Sequence, residues 1–297
     1  TRSPDAEWIA FTSNRDDNWE LYVAKVDNSI IRRVTYNTIA LDIDPTWSPD
    51  GRYLAFETTR DGNWELYLFD LISGEEIRLT DDESNDINAF WSPDSERIVF
   101  QSDRSGLWQI YELEIATGDL TLLSDGTGND HDPMYSFDDE AIVFRSFRGN
   151  NDNSVIYVMD RDGSNVERIS AENANAMNHT WSADDTVIAY QSDLDGDLDI
   201  YAWEAESGAT RLITDNDIPD YAPTWICDST TVVFTSDVTE DPNIFNTPAL
   251  PIDADPILVD EEANQMTDNL ANDVYPESSP SEENASREGD VPPRIGD

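Results

Sequence analysis

The chain has 297 residues, enough for one large domain with a substantial core, and no apolar run approaches the roughly 18 residues that cross a bilayer as a helix. Asp and Glu number 64 against 17 Lys and Arg, and a net charge of −47 repels nucleic acid and anionic lipid. That balance suits a medium in which cations screen self-repulsion, either an extracellular or periplasmic setting rich in divalent ions or the interior of a halophile.

The chain begins with TRSPDAEWIAF, without Met or signal peptide, and so reads as a processed or trimmed product. Residues 7–35 predict three strands. A fuller unit starts at residue 42. TWS ends a short first strand, YLAFET alternates as a second, WELYLFD is a third and EEIRLT a fourth. SPDG, RDGN and SG supply hairpin turns between them. The aromatic closing the second strand recurs as Phe11, Phe56, Phe100, Phe144, Tyr190 and Phe234, at spacings of 45, 44, 44, 46 and 44. The aromatic of the third recurs as Tyr22, Tyr67, Tyr111, Tyr157, Tyr201 and Phe245, at 45, 44, 46, 44 and 44. Two columns in step through six units make a repeat, and no stretch has helical periodicity.

Four short antiparallel strands in such a period form one propeller blade, so the fold class is all-β, a six-bladed β-propeller. The sixth unit is longer, 53 residues from Asp220 to Asp273, and its second half is irregular and Pro-rich. The first unit lacks an inner strand. The stretch NDVYPESSPS near the C-terminus supplies one, so residues 272–278 are expected to close the ring against residues 7–35. That gives a propeller over 1–278 and an acidic, Pro- and Ser-rich tail or linker over 279–297, in which Asn284 begins an N-x-S sequon. The lone Cys227 excludes an internal disulfide framework and sits in a repeat position, as a buried structural thiol would.

The stretch PTWSPDGRYLAFETTRDGNWELYLFDLISGEEIRLT resembles the WD-like repeat of TolB-type propellers, and the likeness runs through roughly residues 2–280. The resemblance implies a six-bladed propeller, periplasmic or on the cell surface, that mainly binds other proteins. It is weak for function, because propellers host many. The last two units depart from the pattern. The Arg of the turn between second and third strands is Arg15, Arg60, Arg104 and Arg148, then Leu194 and Val238.

Four groups are candidates for chemistry. Asp42, Asp86, Asp130 and Asp220 recur five residues before the column Trp47, Trp91, Tyr135, Trp181 and Trp225, with Ala176 in the fifth unit, and Asp273 holds the same place relative to Pro276 and Ser279. At one height around a ring they would either converge on a channel cation or close blade junctions by bonding backbone N–H groups. In SDLDGDLD, Asp193, Asp195, Asp197 and Asp199 surround Gly196, and alternating carboxylates on a tight turn suit Ca²⁺. The same segment also aligns with the ordinary hairpins SDRSGLWQ and TTRDGNWE. His131 and His179 lie at unmatched positions of neighbouring inner strands and do not form a metal-binding histidine cluster. Trp19, Trp64 and Trp108 recur in the hairpins, for packing or for stacking on sugars or a partner.

No G-x-S-x-G, phosphate loop or basic patch occurs, and no cofactor is required, with Ca²⁺ the one ion in view. The expected function is a non-catalytic, extracytoplasmic scaffold that binds a protein partner. The alternatives are a self-assembling filament subunit, formed if the closing strand is given to the next copy, and a glycan-active or glycan-binding propeller.

Overall fold

The computed structural model describes residues 1–149, 153–226, 230–238, 242–248 and 264–266. Among these there is no helix, so none is long and apolar enough to cross a membrane. Six antiparallel sheets follow one another along the chain, each with its strands in sequence order, and the architecture is that of a six-bladed β-propeller. The second blade sets the pattern with strands Asp42–Trp47, Tyr53–Thr58, Glu65–Asp70 and Glu76–Arg78. The third blade begins at Asp86, the fourth at Asp130, the fifth at Ala176 and the sixth at Asp220. The first has three strands, Trp8–Ser13, Glu20–Lys25 and Ile31–Arg33. Its expected closing strand at 272–278, the tail and Cys227 lie outside the described residues.

The two aromatic columns are one structural feature. Phe56 stands opposite Tyr67 across neighbouring strands, and so do Phe100 and Tyr111, Phe144 and Tyr157, and Tyr190 and Tyr201. Their ring centroids lie 5.8 to 6.1 Å apart. Each such pair contributes roughly 0.5–1.5 kcal/mol beyond the area it buries.

The contacts divide the molecule into two compact units. The first holds Thr1–Gly126 with His131–Pro133, and the second holds Thr127–Asp130 with the described residues from Met134 onward. In the first unit, Ala10, Leu21, Leu54 and Phe56 pack between the first two sheets, and Leu66, Trp91, Ile98 and Phe100 between the second and third. In the second unit, Val143, Ile156, Trp181 and Ile188 form one core and Ala189, Ile200, Val232 and Phe234 another. The second strand was expected to alternate. Instead Leu54 through Thr58 are all buried, because a middle strand with blades on either side has no wet face.

The inner strands of the second, third, fifth and sixth blades each carry a bulge. Their register against the second strand shifts between Ile43 and Thr46, between Ile87 and Phe90, between Met177 and Thr180, and between Tyr221 and Thr224. One residue of each bulge is left-handed: Asp44, Asn88, Asn178 and Ala222, with Asp132 at the matching place in the fourth blade, at φ between 50° and 55°. Asn and Asp tolerate that region through short polar side chains, and Ala222 is the exception. The bulge N–H points away from its own ladder and is taken by the preceding blade. Thr12 Oγ1 accepts it from Asp44 at 3.2 Å, Glu57 Oε1 from Asn88 at 2.6 Å, Gln101 Oε1 from Asp132 at 2.8 Å and Gln191 Oε1 from Ala222 at 2.8 Å.

Candidate functional site

The Asp column and the Arg column, read apart in the sequence, meet in the structure. Arg60 Nη2 donates to both carboxylate oxygens of Asp42 at 3.1 Å. Arg104 Nη2 reaches Asp86 at 2.7 and 2.8 Å, and Arg148 Nη2 reaches Asp130 at 2.9 Å. Each guanidinium is aimed by its Nε, which donates to Thr58, Ser102 or Ser146. Each also lies over the aromatic pair of its blade, Arg60 at 4.5 Å from the Tyr67 centroid and Arg104 at 4.9 Å from that of Tyr111. These carboxylates are fully buried and face side chains, where bonds to backbone N–H groups are one expectation; Asp42 and Asp86 engage both oxygens, while Asp130 Oδ1 has no hydrogen-bond partner. Burial outweighs the Ser102 and Arg104 contacts and leaves the Asp86 carboxyl above its ordinary value. Asp273, the fifth member of the column, lies outside the described residues.

The signal for this pairing was in the sequence. The columns run 18 residues apart, and where Asp gives way to Ala176, Arg gives way to Leu194. The sixth blade breaks the rule, with Asp220 kept while the Arg position holds Val238. Asp220 is fully buried and accepts from Asn216 Nδ2 at 3.1 Å, and its Oδ1 has no hydrogen-bond partner. Burial, with the charge of Asp197 nearby, pushes its carboxyl up to about 6.

A second polar set begins the third strand of the first two blades. In the first blade Glu20 takes Asn18 Nδ2 at 3.1 Å and Arg33 Nη2 at 2.9 Å. In the second blade Glu65 takes Asn63 Nδ2 at 2.9 Å and Arg78 Nη2 at 3.1 Å. The third blade replaces all three, with Leu107, Gln109 and Leu122, so the carboxylate leaves together with its arginine. In the fourth blade Val155 stands at the carboxylate position while Asn153 and Arg168 are kept. The fifth blade does otherwise. Leu212 stands in the arginine place, but Asp199 keeps the charge and Asp197 replaces the asparagine with another.

Of the four aspartates singled out in SDLDGDLD, the structure brings three together. Asp195, Asp197 and Asp199 each present an oxygen, all within 4.8 Å of one another. Asp193 turns elsewhere, accepting the Asn175 N–H at 2.7 Å and Asn175 Nδ2 at 2.8 Å, as Asp103 does for Asn85. Asp199 is fully buried. Its Oδ1 accepts from Thr214 at 3.0 Å, while its Oδ2, like Asp197 Oδ2, is shut from solvent and has no hydrogen-bond partner. Burial, then the charges of Asp195, Asp197 and Asp220, push the Asp199 carboxyl up to about 8. Asp197 is raised as well, by desolvation first and then by Asp195, Asp217 and Asp215. The arrangement is a cluster of carboxyl groups that offers hard oxygen donors on a tight turn.

The remaining candidates are local. His131 Nδ1 lies 3.2 Å from Gln101 Nε2, and its ring lies 5.9 Å from that of Trp108, while His179 is buried on the inner strand of the fifth blade. Trp19, Trp64 and Trp108 are half-buried, and the Trp19 and Trp64 carbonyls accept from Asp42 and Asp86 at the start of the next inner strand.

Residues 37–150 match the family model of the TolB β-propeller domain. That stretch carries the TolB-type propeller repeat. Among solved structures, TolB from Acinetobacter baumannii shares 21% identity at a TM-score of 0.63, over 82% of this chain and 61% of that one. A putative TolB from Agrobacterium tumefaciens shares 28% at a TM-score of 0.51, over 56% of this chain and 62% of that one. Oligogalacturonate lyase from Vibrio parahaemolyticus shares 19% at a TM-score of 0.69, over 89% of this chain and 75% of that one. The chain thus spans about three fifths of the length of the two TolB chains. No curated protein matches it in sequence. The fold is shared by TolB and by a lyase, so the fold alone does not decide the function.

Proposed function

We propose that this TolB-type propeller is a non-catalytic scaffold that binds a protein partner outside the cytoplasm. The observation that carries the reading is the loop between the first and second blades. It exposes Tyr36 at 60% and Ile39 at 88%, where the next such loop reads Asp81-Asp82-Glu83-Ser84-Asn85. Arg33 lies 4.8 Å from the Tyr36 ring centroid and steadies it. An aromatic and an aliphatic anchor on an otherwise acidic rim suit a docking contact, since such side chains carry most of the energy of protein interfaces. The charge of −47 favours a partner with a basic face and an extracytoplasmic setting in which ions screen repulsion.

The test is affinity capture with the full chain against the envelope and secreted fractions of the source cells, beside a Tyr36→Ser/Ile39→Asp variant of equal thermal stability. A partner retained in stoichiometric amount by the wild type and lost by the variant supports the proposal. Equal retention by both removes the loop from it. Turnover of polygalacturonate or a peptide substrate by the wild type would overturn the non-catalytic reading. Light scattering separates a foreign partner from a second copy, because self-assembly raises the molar mass of the pure chain.

A further inference from the structure

We propose that the fifth blade binds a divalent cation, Ca²⁺, between Asp195, Asp197 and Asp199, in the place that arginine and asparagine donors fill in the first two blades. The first three blades treat the same position differently. Glu20 and Glu65 are buried carboxylates answered by Arg33 with Asn18 and by Arg78 with Asn63. When the third blade loses the arginine, to Leu122, it loses the charge too, to Gln109. The fifth blade loses the arginine, to Leu212, yet retains Asp199 and adds Asp197. Two carboxylates are left where one carboxylate and two donors belong.

The second observation is the state of the oxygens. Asp199 is fully buried, its Oδ1 is held by Thr214, and its Oδ2 is left without a hydrogen-bond partner alongside the equally unpartnered Oδ2 of Asp197. Buried polar atoms are almost always satisfied, so two unpartnered carboxylate oxygens on aspartates this close together mark a ligand position. The three aspartates offer oxygens within 4.8 Å of one another, a spread that ligands about 2.3–2.6 Å from a common ion occupy. Asp195, on the exposed turn beside Gly196, gives the ion a route from solvent. The buried Asp220 adds negative potential from the next blade without joining the set. The proposal is independent of the docking loop and would survive its failure.

Isothermal titration of the chelator-stripped full chain with CaCl₂, and separately with MgCl₂, at physiological salt tests it. The wild type is expected to bind one Ca²⁺ in a saturable step, more tightly than Mg²⁺. Asp197→Asn and Asp199→Asn each weaken that step at least tenfold, while Asp193→Asn leaves it unchanged. At a hundredfold excess of Ca²⁺ over the dissociation constant the melting temperature rises by about 4 °C in the wild type and not in Asp197→Asn. Asp197→Asn also recreates the Asn63 contact, so in chelator it melts no lower than the wild type, which keeps the test apart from misfolding. Binding that is weak and multiple, equal for the two ions, or unmoved by Asp197→Asn and Asp199→Asn overturns the proposal.

Discussion

Replacing Glu57 by Gln is expected to stabilise the protein, and by an amount set by pH. Glu57 is 4% exposed on the second strand of its blade, where its carboxylate accepts the Asn88 N–H. Burial, then the neighbouring charge of Asp44, push its carboxyl from an ordinary 4.5 up to about 8, against a smaller opposing effect of the Asn88 hydrogen bond. The folded state therefore holds a proton that the unfolded state releases above its own pKa. Below pH 4.5 both states are protonated and the group contributes nothing to pH dependence. Between 4.5 and 8 stability falls as pH rises, at up to about 1.4 kcal/mol per unit, and above 8 the loss is constant. Gln has no charge to desolvate, and Gln101 and Gln191 show at matching positions that its carbonyl reaches the bulge N–H. The variant should equal the wild type near pH 4.5 and exceed it by about 3 kcal/mol at pH 7. Thermal unfolding of both proteins at half-unit steps from pH 4.5 to 9 measures the difference. A gap independent of pH, or a variant less stable at pH 8, would refute the assignment of a buried, protonated Glu57.

Three other changes test the packing of charge and backbone. Arg104→Leu leaves buried Asp86 without its cation and should cost about 3–5 kcal/mol, while Arg104→Leu/Asp86→Ala, the combination native to the fifth blade, should recover all but about 1. A double-mutant cycle by urea unfolding reads that coupling, and additive losses would exclude the pairing. Ala222→Gly removes a Cβ from a left-handed residue at φ 53° and should raise stability by about 0.5–1 kcal/mol, seen as a higher urea midpoint at unchanged slope. Phe100→Ala empties a fully buried site opposite Tyr111 and should cost about 3–5 kcal/mol by the same measurement.

What could be read in the sequence was whatever repeats as a letter. The aromatic columns fixed the number of blades because a cross-strand ring pair needs the same chemistry in every one. The Asp and Arg columns were visible too, but their pairing showed only in the shared exception of Ala176 and Leu194. Hidden from such reading was any role that repeats while its letter changes. The acceptor of the bulge N–H is Thr12, then Glu57, then Gln101, then Gln191, and no column of one residue type marks it. Glu57 therefore passed as one more acid. In SDLDGDLD the alternation of carboxylates gave no sign that Asp193 faces Asn175, since a tight turn rotates its first residue away from the strand that follows. The position of Asp199 in the Glu20 and Glu65 column, opposite a missing arginine, was the stronger signal.

The bulge hydrogen bond has a consequence for how such a chain can grow. It joins residues 31 apart, Glu57 to Asn88, Gln101 to Asp132 and Gln191 to Ala222, with its acceptor always in the earlier blade. A genetic duplication or deletion of one whole period, wherever the breakpoints fall, hands the acceptor of one copy to the donor of the next. A gain or loss of part of a period strands a buried N–H and shifts every later aromatic pair out of phase. Recombination is thus confined to whole cassettes by a single backbone proton, and blade number can change in integer steps while the chemistry within each blade drifts.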